Sequence, residues 1–239
     1  MNKLKANFVL LWFVGTVGLI AATAPVYPRE QSVSPGINKH YENPVYEEWV
    51  QRFEREGREI YDKRHEIVTA VALREDMVVA DIGAGTGLFT RLFSPQVGPG
   101  GRVIAVDISR EFIDKILQIA KEQGQENIQG IVNTPTETAL PPESIDLAFV
   151  CDTYHHFEHP ETMLRSLYRA LRSEGTLIVI DYRRVKGLSS PWVMTHVRAG
   201  EETVVGEIEA AGFRLAKTQD FLKENYFLQF KKRDDAGAK

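Results

Sequence analysis

From about residue 78 onward, the apolar positions of the chain alternate between two rhythms. Short, nearly continuous apolar runs end at a glycine, a carboxylate or an asparagine: Val78 to Ile82, Arg102 to Asp107, Ile128 to Val132, Ser144 to Asp152 and Thr176 to Asp181. Between them apolar residues fall three and four apart, the spacing of one helix face. Leu88, Phe89, Leu92 and Phe93 open one such helix. Ser109 can cap a second, with Ile113, Ile116, Leu117 and Ala120 on its inner face and Gly124 as its stop. Pro160 suits the first turn of a third, carried by Leu164, Leu167, Tyr168 and Leu171. Strands that are apolar on both faces and alternate with helices predict an α/β domain around a buried parallel sheet. A last helix over Glu202 to Ala211, stopped by Gly212, leads into Phe213 to Lys217 and Tyr226 to Phe230, which read as an antiparallel pair.

The first third of the chain follows other patterns. Lys3 and Lys5 precede an apolar run from Phe8 to Ala24 that ends in Ala22-Thr23-Ala24, so residues 1–24 read as an export signal or, because Pro25 obstructs cleavage, as an N-terminal membrane anchor. Either way the body of the protein is expected outside the cytoplasm. Residues 25–44 hold Pro25, Pro28, Pro35 and Pro44 with little apolar periodicity and read as a linker. Val45 to Val71 is charged, with Trp49, Phe53, Ile60, Ile67 and Val68 spaced for one or two amphipathic helices.

The chemistry starts at Val78 to Thr90, VVADIGAGTGLFT, a strand that runs through Gly83, Gly85 and Gly87 into a helix. Such a turn brings backbone N–H groups and a helix N-terminus against a ligand that a side chain would hold off. Asp107, at the end of the next strand, is placed to accept both hydroxyls of a ribose. A dinucleotide fingerprint would need its third small residue at position 88, where Leu88 stands, so nicotinamide chemistry is disfavoured.

The D-x-G-x-G-x-G pattern of Asp81 to Gly87 resembles the first motif of class I S-adenosylmethionine-dependent methyltransferases. Asp107 resembles that family's acid after the second strand, and I-D-L-A-F-V around Asp146 its fourth-strand signature. The segment Y-H-H-F-E-H-P through L-R-S-E-G-T-L-I-V-I-D is similar to the ubiquinone and menaquinone biosynthesis type. The resemblance covers about residues 45–231 and implies a Rossmann-like seven-stranded methyltransferase sheet, mostly parallel with an antiparallel last strand and helices on both faces. It further implies S-adenosyl-L-methionine as cofactor, contacted by Asp81, Gly83, Gly85, Gly87, Asp107, Ile108, Asn133, Thr134 and Asp152. Adenine would find an acceptor in Asn133 or Glu137, and N-terminal helices would cap the cofactor, with Tyr61 and Arg64 toward its methionine end.

Ligands of open α/β sheets bind beyond the C-terminal strand ends, which places His155 and His156 beside an acceptor as orienting or proton-accepting residues. His155, His156 and His159 cannot converge on a metal from one helix, and no metal is assigned to them. Cys151 reads as a small buried hydrophobe, and Val185 to Gly200 is long enough for a lid.

At 239 residues and 43% hydrophobic content, the chain suits one domain, residues 45–233, with a short tail over 234–239. A formal charge of −4 and the lack of a basic run argue against nucleic acid as substrate or partner. The leading expectation is methyl transfer to a small-molecule acceptor: a quinone-like phenol, a thiol, an amine or a lipid headgroup. The alternative is an exported nucleoside-binding protein of the same fold without catalysis. A reporter fused after Lys239 is expected outside the cytoplasm, and the apparent mass of the extracted protein then separates a cleaved signal from a retained tether.

Overall fold

A computed structural model describes residues 30–233 of the chain. Residues 1–24, read above as a signal or anchor, lie outside these, as do residues 25–29 of the stretch read as a linker and the tail over 234–239. Seven strands form one sheet: β1 (Val78–Ile82), β2 (Arg102–Asp107), β3 (Ile128–Val132), β4 (Ile145–Cys151), β5 (Leu171–Tyr182), β6 (Phe213–Gln219) and β7 (Asn225–Lys232). Their order is β3-β2-β1-β4-β5-β7-β6. The first five are mutually parallel, and β7 runs antiparallel to both of its neighbours. This is the Rossmann-like methyltransferase sheet expected from the motifs.

Helices cover both faces, which is why the central strands are apolar throughout. On one face Val79, Ala105, Phe149 and Ile178 pack under α3 (Arg64–Val71), α4 (Leu88–Val97) and α5 (Arg110–Glu122), through Ile67, Phe93 and Ile116. On the other, Ala80, Val106, Val150 and Val179 pack under α6 (Pro160–Ala170) and α8 (Glu201–Ala210), through Leu164, Leu167 and Ile208. Burying the strands on both sides removes about 1.5–3 kcal/mol of exposed side chain per large apolar residue. Strand order reverses between β1 and β4, so the crevice beyond their C-terminal ends is the natural ligand position of the fold.

Three details depart from the sequence pattern. The charged stretch ahead of β1 forms three helices, α1 (Tyr46–Phe53), α2 (Glu59–Asp62) and α3, instead of one or two. The break falls at Gly57, where φ is 84° and the N–H donates to the Asp62 carboxylate at 3.1 Å. Leu171, assigned by periodicity to α6, already pairs with Ile145 as the first residue of β5, and a register shift follows before Thr176 meets Leu147.

The third departure corrects the linker. Residues 30–44 are docked on the domain. Val33 N–H donates to the Glu158 carbonyl at 2.9 Å, and the Asn38 side chain donates to the His156 carbonyl at 3.0 Å. Glu30 accepts from the N–H groups of Glu161 and Thr162 at 3.0 and 2.8 Å, which caps α6, whose own preceding residue His159 makes no side-chain cap. Low apolar periodicity misled because this segment is held by hydrogen bonds to loop backbone and by the ring of Tyr41, not by a helix face. Among the described residues no helix is long and apolar enough to cross a membrane.

A carboxylate at a helix N-terminus meets unpaired N–H groups and the positive end of the helix dipole. Glu30→Ala is therefore expected to lower the unfolding free energy by about 1 kcal/mol in denaturant titrations. Glu30→Gln, which keeps an acceptor but no charge, is expected to lose less.

Candidate active site

The C-terminal strand edge opens into a cavity of about 990 Å³, near the top of the range of roughly 300–1,000 Å³ usual for ligand pockets. At one end lies the glycine turn. Gly83, Gly85 and Gly87 take φ of 69°, 54° and 76°, conformations that side chains resist. At Gly83 and Gly87 packing also demands glycine, since a Cβ would come within 2.2 Å of Thr153 and 2.6 Å of Ile116. Gly85 differs: a Cβ there would enter the cavity, with only the Phe53 ring at 3.4 Å before it among protein side chains. Gly83 and Gly85 line the cavity, whereas Gly87 stands behind it as the residue preceding α4.

Asp107 ends β2 and is buried to 6% exposure. Its Oδ2 accepts the Gly85 N–H and its Oδ1 the Ser109 N–H, both at 2.8 Å, so the acid and the glycine turn hold each other in place. Burial pushes the carboxyl up to about 6, against the pull of these amides and that of Ile108. Asp81 is likewise pushed up to about 6 by burial and accepts from Thr90 Oγ at 2.6 Å, tying β1 to α4. Asn133 and Thr134 line the wall beside Asp107, and the Asn133 amide N–H₂ donates to the Thr134 carbonyl, leaving Oδ1 for an outside donor. Glu137 faces away and pairs with Arg169 at 3.5 Å, which removes it as the adenine acceptor.

The N-terminal helices supply the facing wall through residues other than the expected pair. Arg64 folds back on Tyr61, donating to its carbonyl at 2.7 Å and lying 4.2 Å over its ring, and neither lines the cavity. Tyr41, Trp49 and Phe53 instead form an aromatic wall, with Tyr41 and Trp49 4.7 Å apart, and Phe112 of α5 completes it. Tyr46 OH donates to the Thr86 carbonyl at 2.9 Å, clamping α1 onto the glycine turn. Arg58, unmarked by any motif, reaches Asp152 at 2.5 Å, and Asn225 donates to the other oxygen of that carboxylate at 2.6 Å. Burial raises the Asp152 carboxyl above its ordinary value while the Arg58 charge pulls it down.

At the far end stand the histidines. His155, 3% exposed, gives its Nδ1 to Asp181 Oδ1 at 2.7 Å and its backbone N–H to Oδ2 at 3.0 Å. Burial opposes protonation of His155, but the Asp181 carboxylate prevails and raises its pKa. His156 lies 4.2 Å from it ring to ring, pushed down to about 2 by burial and by His155 and His196, and is therefore neutral at ordinary pH. His196 comes from α7 (Pro191–His196), the helix of the stretch expected to act as a lid. It lies 5.2 Å from both rings and is lowered by burial and by His155. His159 does not join them: it precedes α6, off the cavity. Cys151 lines the cavity with its thiol pushed up by burial, which suits a packing residue over a nucleophile.

Residues 80–179 match the methyltransferase domain family. Over that stretch the chain carries a methyltransferase domain, and its sheet is that of the class I S-adenosylmethionine-dependent methyltransferase fold. It is 28% identical over 116 residues to the uncharacterized methyltransferase YcgJ of Bacillus subtilis, covering 48% of this chain and 45% of that protein. It is 29% identical over 111 residues to the ubiquinone/menaquinone biosynthesis C-methyltransferase UbiE of Ectopseudomonas mendocina, covering 44% and 42%. The aligned stretch thus spans less than half the length of these curated relatives. A SAM-dependent methyltransferase from Aquifex aeolicus shares the fold with a TM-score of 0.69 at 22% identity, over 79% of this chain and 98% of its own. The cofactor implied by this family is S-adenosylmethionine. The site fits it: Gly85 leaves open the volume that a Cβ would fill, and a buried carboxylate and an aromatic wall flank that space.

Arg58 and Asp152 join the N-terminal wall to the strand edge, and removing one buried partner strands the other charge. Arg58→Ala is expected to cost about 3 kcal/mol in chemical denaturation. In a double-mutant cycle most of that loss should vanish once Asp152 is Asn, since no charge is then left unpaired.

Proposed function

We propose that this protein transfers the methyl group of S-adenosylmethionine to a small-molecule acceptor held at the histidine end of the cavity. One observation carries the reading: a single cavity at the strand-order reversal joins the glycine turn and Asp107 at one end to the Asp181-braced His155 at the other. Asp107 accepts the ribose hydroxyls, and the Gly83 to Gly85 backbone admits the ligand without steric contact. Ile108, Asn133 and Thr134 flank the adenine, with Asn133 Oδ1 as acceptor for its amino group. Asp81 places negative charge near the cationic end of the ligand, and Asp152, paired with Arg58, fixes the wall beside it.

When bound, the cofactor supplies an electrophilic sulfonium methyl. The chain's part is to exclude water, align the acceptor behind that methyl and orient its reacting atom; alignment alone can lower a barrier by about 7–11 kcal/mol. The aromatic wall and the buried strand ends make the cofactor half dry, and His155, fixed at Nδ1, turns Nε2 to the acceptor. The acceptor belongs to the class of small polar nucleophiles, such as phenols, thiols or amines.

The test is calorimetry with S-adenosylmethionine, S-adenosylhomocysteine and NAD. The two adenosyl ligands should bind and NAD should not, and Asp107→Ala should weaken binding at least tenfold, from the loss of charge-assisted bonds of about 1.5–3 kcal/mol each. Ribose hydroxyls donate to the ionised acid, whose pKa in the free protein is about 6, so affinity should hold above pH 7 and fall as pH drops through 6. In Asp107→Asn that slope should disappear. The stability of the unliganded protein should move in the opposite direction, because a carboxyl raised above its ordinary 3.8 binds its proton more tightly folded than unfolded. That contribution favours the fold as pH falls from about 6 toward 4.

A further inference from the structure

The histidine end of the cavity gathers three imidazoles where orienting one acceptor atom needs only one. One nitrogen each from His155, His156 and His196 lies within 4.8 Å of the other two, although His196 arrives from a different element, α7. Asp181 takes up Nδ1 of His155 at 2.7 Å, which fixes the ring and leaves Nε2 as its free donor atom. A carboxylate behind an imidazole is the usual brace of a metal-ligating histidine. His156 Nδ1 is buried without a hydrogen-bond partner, a costly state for a polar nitrogen that a bond to a cation would relieve. His196 is held in plane by Trp192, stacked at 4.6 Å and 22°.

We propose that His155, His156 and His196 form a three-histidine site for a divalent transition-metal ion, zinc first among them, with an open position facing the cavity. Neutral imidazoles without a set of carboxylates or carbonyls select zinc and its neighbours over magnesium or calcium. Three protein ligands with one position free is the arrangement of catalytic rather than structural zinc. Tetrahedral zinc, with bonds of about 2.0–2.1 Å, wants ligand nitrogens about 3.3 Å apart, so the rings need to close by about 1.5 Å or less. His159, the third histidine of the local sequence cluster, takes no part.

The consequence for the acceptor rests on the methyl-transfer reading, whereas the metal site itself does not. The open position would take the oxygen or sulfur of a phenol, hydroxyl or thiol, whose proton leaves to water as the atom binds the ion. That atom then forms a bond to the sulfonium methyl carbon while the carbon–sulfur bond breaks, its electron pair staying on sulfur as the neutral thioether. This selects ionisable oxygen and sulfur nucleophiles over amines.

The test uses the full chain, freed of metal by a chelator and titrated with zinc chloride and, in parallel, with cobalt(II). A single zinc ion per chain is expected, with cobalt giving the intense visible bands of four-coordination. His156→Gln and His196→Gln should each weaken zinc binding by at least about 100-fold, and Asp181→Asn by about 10- to 100-fold, with the metal-free thermal transition recording whether each variant is folded. Exposed His65→Gln serves as control and should change nothing. S-adenosylhomocysteine affinity, measured on the same samples, should stay within about threefold in His196→Gln, since that residue lies at the other end of the cavity. A protein that binds S-adenosylhomocysteine but takes up neither metal overturns the site, as does uptake that survives both histidine substitutions. If the histidine variants lose rate in a protein without zinc, the residues act by proton transfer and the metal site is refuted. Zinc held by the three histidines in a protein that binds no adenosyl ligand supports the site and removes the methyl-transfer reading instead.

Discussion

Four buried carboxylates stand in a row along the C-terminal edge of the sheet, and the need to satisfy each of them organises what surrounds it. In strand order they are Asp107, Asp81, Asp152 and Asp181, on or just after β2, β1, β4 and β5. An anion taken out of water is costly unless it is paired or hydrogen-bonded. Each acid therefore recruits a different donor: the Gly85 and Ser109 amides, the Thr90 hydroxyl, the Arg58 and Asn225 side chains, and His155. Those donors belong to the glycine turn, the start of α5, α4, the N-terminal helices, β7 and the loop after β4. Satisfying the row thus assembles the walls of the cavity.

The row also divides the cavity by charge. At the β2 and β1 end the acids are held only by amides and a hydroxyl, which leaves them available to hydroxyl donors from a ligand. At the β4 and β5 end they are matched to Arg58 and His155, so there the acids position cationic or imidazole groups. The two ends of one continuous cavity thus differ in how their acids are partnered.

The segment over 30–58 belongs to the site as much as the sheet does. Glu30 caps α6, Asn38 holds the His156 carbonyl, Tyr41 sets its ring edge-on to His156 at 5.2 Å, and Arg58 reaches the strand edge. The methyltransferase domain model matches residues 80–179, so this wall lies outside that stretch. The same holds for α7, which brings His196 over the histidine turn. Both walls that face the histidine end are thus supplied by parts of the chain that flank residues 80–179.

The sequence by itself determined the sheet, the glycine turn and Asp107, because each is written locally. A strand buried on both faces must be apolar throughout, a left-handed turn against a neighbour must be glycine, and an acid twenty residues beyond Gly87 must end the next strand. His155 and His156 were legible for the same reason, as polar residues just past a strand end. Only the tertiary structure decided their partners. Arg58 meets Asp152 across 94 residues of chain, Glu30 meets Thr162 across 132, and His196 converges with His155 and His156 from another helix. Nothing in the local pattern of a charged helix distinguishes Arg58 from Arg64, or a docked proline-rich segment from a free one. A side chain's partner depends on which elements the sheet brings together, and that proximity exists only once the core has closed.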